Sequence, residues 1–212
     1  MNDKEWGKRI SHRTDISMGL VHLTKGDNGL GPLSVLMKIL EEKTIVGSTN
    51  KTVDGHSRGF ICGNDPVVCF QDVPLYSLSE NILWEQQLHS QIPESPIRYS
   101  PFGLRFDKRY IFRNGGRPVI YEKTNIAKTF LPKNEYWRIV RLDLENDDNI
   151  IDWTHEREWR IKGDFRFEPN EVEILLSDQY SLKKFYKYCK ENDMENLLNE
   201  IKGIVILKSL VF

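Results

Sequence analysis

The ten residues Asp152-Trp153-Thr154-His155-Glu156-Arg157-Glu158-Trp159-Arg160-Ile161 decide how the chain is read. They set two glutamates, two arginines and two tryptophans in a loop that runs into a strand. Alternate side chains of an extended chain share a face. Glu156, Glu158 and Arg160 are therefore expected on one face, with Arg157, Trp159 and Ile161 on the other. Trp159 and Ile161 suit a core. The first face is a row of ionisable groups, and two carboxylates one strand repeat (roughly 7 Å) apart repel unless a cation or a substrate lies between them. Two readings follow. The row is a wet sheet face with Arg160 pairing Glu158, or it is a catalytic carboxylate with a supporting neighbour.

Working outward, 212 residues suffice for one well-buried domain and are short for two. Charged residues at 29% beside 39% hydrophobic ones describe an ordinary globular chain rather than a disordered one. No apolar run approaches the about 18 residues of a membrane span. The polar start Met1-Asn2-Asp3-Lys4-Glu5-Trp6 contains no apolar signal core. Cys62, Cys69 and Cys189 are odd in number and form no C-x-x-C pair, so reduced thiols in a cytoplasmic protein are expected, with no membrane partner.

A net charge of -1 hides an asymmetry. Residues 97–141 carry 11 Lys/Arg against 3 Asp/Glu, a local +8, interleaved with Tyr99, Phe102, Phe106, Tyr110, Phe112, Tyr121, Tyr136 and Trp137. Cations among stackable rings suit a phosphate-bearing partner. Equally, the rings are the core faces of strands whose wet faces are cationic.

Patterning predicts one α+β domain over residues 1–212. Strands are expected at Gly19–Thr24, Val67–Phe70, Phe102–Phe106, Pro118–Tyr121, Tyr136–Leu144, Val172–Leu176 and Ile204–Leu207. Helices are expected from Pro32 through Leu40, over Leu75–His89 with Pro93 and Pro96 ending it, over Asp178–Glu191 and over Asp193–Ile201. Lys25–Gly29 reads as a turn, Thr49–Gly59 as an exposed loop and Asn114-Gly115-Gly116 as a hairpin-like turn.

Several chemistries can be set aside. Gly26, Gly29 and Gly31 fit neither dinucleotide nor P-loop spacing. The five histidines are scattered, without a metal-binding pair on one helix, and there is no G-x-S-x-G elbow. A nuclease holding a divalent cation on Asp152, Glu156 and Glu158 stays open, as does a non-catalytic nucleic-acid or protein binder. Early in the chain, His22 and Thr24 share one strand face, where an imidazole and a hydroxyl can hydrogen-bond a ribose. Taken alone, His22 reads as a core histidine.

Taken together, these residues resemble the ADP-ribosyltransferase superfamily. Val21-His22-Leu23-Thr24, followed by a helix and Leu40-x-x-x-Thr44-Ile45-Val46-Gly47, resembles the opening of DarT-type enzymes and of poly(ADP-ribose) polymerases. Glu158-Trp159-Arg160-Ile161 resembles their catalytic glutamate opening a strand, and Glu156-Arg157-Glu158 the E-x-E of the toxin-like branch. The chain as a whole resembles bacterial abortive phage-resistance proteins of the AbiGi type. That likeness rests on His12-Arg13-Thr14-Asp15 with Leu20-Val21-His22-Leu23-Thr24, Val68-Cys69-Phe70-Gln71-Asp72-Val73-Pro74-Leu75, Tyr99-Ser100-Pro101-Phe102-Gly103-Leu104, Gly116-Arg117-Pro118-Val119-Ile120-Tyr121 and His155–Arg160.

The resemblance implies a split antiparallel β-sandwich with peripheral helices, and NAD as cofactor and substrate. It assigns Glu158 to catalysis with Glu156 beside it, and ribose and pyrophosphate to His22, Thr24 and Arg13. The place of a nicotinamide-stacking tyrosine falls nearest Cys69, so Phe70 or Tyr99 is expected to supply the ring. The acceptor would be a nucleic acid or a protein, the setting antiphage defence, and a neutralising antitoxin a further partner. Glu158→Ala is expected to abolish activity on an intact fold.

Overall fold

The structure is a computed structural model that describes residues 1–27, 29–53, 56–58, 61–92 and 97–208. Asn28 of the first turn, Asp54, Gly55 and Gly59 of the expected loop, and Pro93 and Pro96 lie outside the described residues. In chain order the first elements are α1 (Asp3–Ser11), β1 (Gly19–Leu23), α2 (Pro32–Glu42), β2 (Thr44–Ile45), β3 (Lys51–Val53), β4 (His56–Arg58), β5 (Val67–Gln71), α3 (Leu78–Gln91), β6 (Gly103–Asp107) and α4 (Lys108–Arg113). There follow β7 (Arg117–Pro118), β8 (Ile120–Glu122), α5 (Thr124–Phe130), β9 (Ile139–Arg141), β10 (Glu158–Lys162), β11 (Phe165–Arg166), β12 (Val172–Leu176), α6 (Gln179–Glu191), α7 (Glu195–Glu200) and β13 (Gly203–Ile206). The fold is α+β, with largely antiparallel strand pairing, and the chain forms two compact units built from interleaved segments.

The first unit takes residues 1–44, 73–108 and 167–212. Its strands run in the order β13-β12-β6-β1, parallel between β13 and β12 and antiparallel thereafter. β12 reads V-E-I-L-L and is buried at every position but Glu173, as an interior strand should be. Glu173 lies opposite Arg105 of β6, and the two form a cross-strand ion pair. Val21, Val73, Leu78, Ile82, Leu175 and Leu207 make one buried cluster, with Leu23 and Tyr99 packed against it.

The helices of this unit follow local chemistry. α2 opens with Pro32 in its first turn, where a missing N–H costs nothing, and buries Leu36, Ile39 and Leu40. α6 is capped by Asp178, whose carboxylate accepts from the Ser181 N–H at 2.8 Å, and buries Phe185 and Cys189. In β6, Gly103 stands opposite Leu23. A Cβ there would collide with the His22 carbonyl oxygen, so glycine is what lets β6 close on β1 at His22.

The second unit takes residues 45–72 and 109–166. β10 is its central strand, antiparallel to β5 on one side and β7 on the other. The register sets Glu158 opposite Gln71, Trp159 opposite Phe70 and Arg160 opposite Cys69. Phe70 is fully buried and meets Phe165 edge-on at 5.8 Å, and Tyr110 meets Phe165 at 6.0 Å. β8 and β9 pair in parallel.

Several expectations change. Thr49–Gly59 contains the antiparallel pair β3 and β4 rather than only a loop. Asn114-Gly115-Gly116 ends α4 instead of turning a hairpin: Gly115 has φ +89° and the Gly116 N–H returns to the Ile111 carbonyl at 2.8 Å. The alternation over Tyr136–Leu144 yields a strand only at Ile139–Arg141. After Pro132 the chain first winds through a 3-10 turn, Lys133–Arg138, which buries Trp137 on its own. The expected strand Pro118–Tyr121 is broken at Val119, between β7 and β8. α5 went unpredicted because Ala127 is its only buried residue, leaving no apolar stripe to read.

Candidate functional site

The E-x-E segment is not one straight strand. Thr154–Glu156 form a 3-10 turn, and Arg157 then takes a left-handed conformation, φ 44° and ψ 48°, before β10 starts at Glu158. Face-sharing therefore applies from Glu158 onward and excludes Glu156. Glu158 and Arg160 do share a face, and they pair: Arg160 Nε donates to Glu158 Oε1 at 2.7 Å and Nη2 to Oε2 at 3.1 Å. The pair is not wet. Arg160 is 1% exposed, while Trp159, expected as the core anchor, is only half-buried.

A buried guanidinium needs its donors satisfied. Arg160 Nη1 donates to the Trp137 carbonyl at 2.7 Å and to the Ile139 carbonyl at 3.4 Å. Burial is the largest single influence and works against the charge, but the Glu158 carboxylate together with Cys69 outweighs it, leaving the Arg160 pKa above its ordinary value. Cys69 sits across the ladder from Arg160. Desolvation pushes its thiol up, the Glu158 carboxylate adds to this and Arg160 opposes it, so Cys69 is held as a thiol rather than a thiolate nucleophile.

Glu156 reaches the same neighbourhood by another route. Its carboxylate is buried and accepts from Gln71 Nε2, with exposed His155 Nε2 3.6 Å away on the other oxygen. Gln71 is 7% exposed, and its Oε1 has no hydrogen-bond partner among the described residues. Tyr121 of β8 completes the group, its hydroxyl accepting from the Glu158 backbone N–H at 2.8 Å. Burial raises the Tyr121 phenol to about 12, and the Glu158 and Glu156 carboxylates push in the same direction. The result is two carboxylates, each oriented by a buried donor, beside a protonated phenol and an unused amide oxygen. Such an arrangement can accept hydrogen bonds from the hydroxyls of a ligand and take up a proton.

Of the residues expected to bind a cofactor, His22, Thr24, Arg13 and Tyr99 belong to the first unit and Phe70 to the second. His22 is half-buried on β1. Thr24 is 2% exposed, and its hydroxyl lies 3.0 Å from the Pro32 carbonyl and 3.3 Å from that of Phe102, so it ties β1 to its own unit. Arg13 is exposed and doubly hydrogen-bonded to Asp15, at 2.8 and 2.7 Å. Phe70 offers no open ring face for stacking, being enclosed in the core, and Tyr99 packs against the apolar cluster of the first unit.

Gln71, Tyr121 and Cys69 were not singled out as site residues from the sequence. Each left a trace: Gln71 as a polar residue closing the apolar run Val67-Val68-Cys69-Phe70, Cys69 as the place nearest the expected stacking ring, and Tyr121 among the aromatic rings of the basic segment. Asp152, the third acid of the nuclease reading, turns one oxygen to its own loop: Oδ1 accepts from the Thr154 N–H at 2.8 Å and the Thr154 hydroxyl at 2.6 Å. Among the described residues no three His, Cys, Asp or Glu side chains are grouped to hold a metal ion, and no helix is long and apolar enough to cross a membrane. Neither a family model, nor a curated protein, nor a solved structure matches this chain.

Proposed function

We propose that the protein is an NAD-consuming ADP-ribosyltransferase of bacterial antiphage defence, with Glu158 as catalytic carboxylate and Glu156 as its partner. One observation carries the reading: Glu158 opens β10 with both carboxylate oxygens fixed by the Arg160 fork, while Glu156 stands apart on its own buried donor, Gln71. Fixed acceptors aimed at developing positive charge are worth more than mobile ones, because no reorganisation is needed at the moment of reaction.

In this reaction the bond between nicotinamide and the ribose C1′ breaks, its electron pair staying with nicotinamide. The positive charge then left on C1′ is stabilised by Glu158 through a ribose hydroxyl. An acceptor nucleophile closes the new bond to C1′ and its proton passes to the Glu156 carboxylate. The split β-sandwich expected of such enzymes, a nucleic-acid or protein acceptor, and an antitoxin that neutralises the enzyme belong to the same proposal. The nuclease alternative has less support, since among the described residues no three His, Cys, Asp or Glu side chains are grouped to hold a metal ion.

The test is purified protein with labelled NAD and cell extract, RNA or single-stranded DNA. Nicotinamide release with label transfer is expected, lost in Glu158→Gln at a temperature where that variant is folded. Neither release nor transfer from the wild-type protein with any acceptor overturns the proposal.

A further inference from the structure

A cavity of about 380 Å³ opens in the second unit between the start of α5 and the end of β9, lined by Lys123, Thr124, Asn125, Lys128, Arg141 and Asp143. We propose that it binds a phosphate group of a nucleotide or nucleic acid, independently of any reaction at Glu158.

The balance of donors and acceptors points that way. Asp143 is the single anionic group in the lining, and it is already engaged. Arg141 Nη2 meets its Oδ2 at 3.1 Å, Lys123 Nζ lies 3.6 Å from Oδ1, and the Glu145 N–H approaches Oδ1 at 3.4 Å. The Arg141 hydrogen bond holds the Asp143 carboxyl below its usual range, in keeping with a buttress between two cations rather than a ligand. Lys123 also pairs with exposed Glu145, outside the lining.

The other side chains retain donors. Among the described residues Lys128 pairs with no carboxylate, its ammonium lying 5.4 Å from the centre of the Tyr136 ring. Arg141 spends one nitrogen on Asp143 and keeps Nε and Nη1. The Thr124 hydroxyl and the Asn125 amide make no hydrogen bond among the described residues. Three cations against one satisfied carboxylate leave the cavity at +2, with spare donors that a phosphate, rich in acceptor oxygens, can take up together.

The experiment titrates the full chain by calorimetry with inorganic pyrophosphate, ATP and a short single-stranded oligonucleotide. Lys128→Ala, Arg141→Gln and Lys187→Ala are compared, the last removing a lysine from α6 in the other unit. Binding is expected, weakened about tenfold or more by each cavity variant and less than about twofold by Lys187→Ala. Tighter binding of ATP assigns the phosphate to a free nucleotide. Tighter binding of the oligonucleotide, with a steep loss in salt, assigns it to nucleic acid. Lys128→Ala orphans no ion-pair partner among the described residues, so this variant decides the matter even if Arg141→Gln unfolds. Absence of binding by every probe, indifference to both cavity variants, or an equal loss in Lys187→Ala overturns the proposal.

Discussion

Glu158→Ala would strand a guanidinium. Arg160 has a side chain 2% exposed, and the Glu158 carboxylate meets it at 2.7 and 3.1 Å. Breaking a buried pair from one side costs about 3–5 kcal/mol, because the surviving ion remains buried without its counter-charge. Two considerations favour the lower end. Nη1 keeps its carbonyl partners at Trp137 and Ile139, and Glu158 is 15% exposed, so water can enter the space it leaves. A loss of about 3 kcal/mol in a chain of this size lowers Tm by about 6–12 °C, a large part of the about 5–15 kcal/mol that holds a typical protein folded. The sequence-based expectation that Glu158→Ala spares the fold is therefore revised. Urea and thermal unfolding of wild type, Glu158→Ala, Arg160→Met and the double variant measures it. The double variant should be more stable than the sum of the single losses by at least about 1.5 kcal/mol. A Glu158→Ala midpoint within about 2 °C of wild type, or additive losses, would refute the dependence of buried Arg160 on this carboxylate.

Three further outcomes are expected. Because burial raises Tyr121 to about 12, the folded protein keeps that proton where the unfolded chain, titrating near 10, has lost it. Its contribution is thus complete below about pH 10 and fades as pH climbs toward 12. Tyrosinate absorbance should show a late-ionising phenol that Tyr121→Phe removes, distinct from Tyr188, which burial and the Glu41 carboxylate also raise; a titration identical in the two proteins speaks against the buried Tyr121 hydroxyl. Asp178 titrates below its usual range because the Ser181 N–H and hydroxyl bond its ionised form. Its stabilisation is accordingly present above the unfolded carboxylate value and disappears as pH falls through the folded one. Asp178→Ala should cost about 0.5–2 kcal/mol at neutral pH, whereas Asp178→Asn should keep most of the cap and lose its acid dependence, as urea midpoints across pH would show. Gly103→Ala forces a methyl onto the His22 carbonyl and should destabilise by about 1–3 kcal/mol, with amide exchange accelerated first along β1 and β6; unchanged protection there would argue against the tight approach.

What could be read in advance was local. The apolar runs of β5 and β12, the Pro32 start of α2 and the Asp178 start of α6 follow from neighbouring residue types, and so does the i to i+2 pairing of Arg160 with Glu158. What could not be read was the covering. Whether Arg160 faces water or protein depends on Trp137 and Ile139, more than twenty residues away. Glu156 left the strand face because Arg157 turns left-handed, a conformation that arginine does not advertise. Gln71 meets Glu156 across 85 residues and Tyr121 meets Glu158 across 37, and no spacing rule reaches that far. The +8 segment divides between the units at Lys108. Much of its charge is consumed in pairs with Glu173, Glu135, Asp143 and Glu145, and Phe106 and Trp137 are buried.

The pairing of β10 with β5 has a consequence for how the second unit finds its one arrangement. Sliding a strand by a single residue moves every side chain to the opposite face. In β10 such a slip would bring Trp159 to the place opposite Cys69 and send Arg160 toward the side where Phe70 and Phe165 meet. The guanidinium would lose both main-chain acceptors in one step and face aromatic carbon instead. Apolar strands of similar bulk tolerate such misalignment more readily. One buried cation, whatever chemistry its neighbour performs, makes the adjacent alignments costly and singles out the register in which its charge and its donors are both answered.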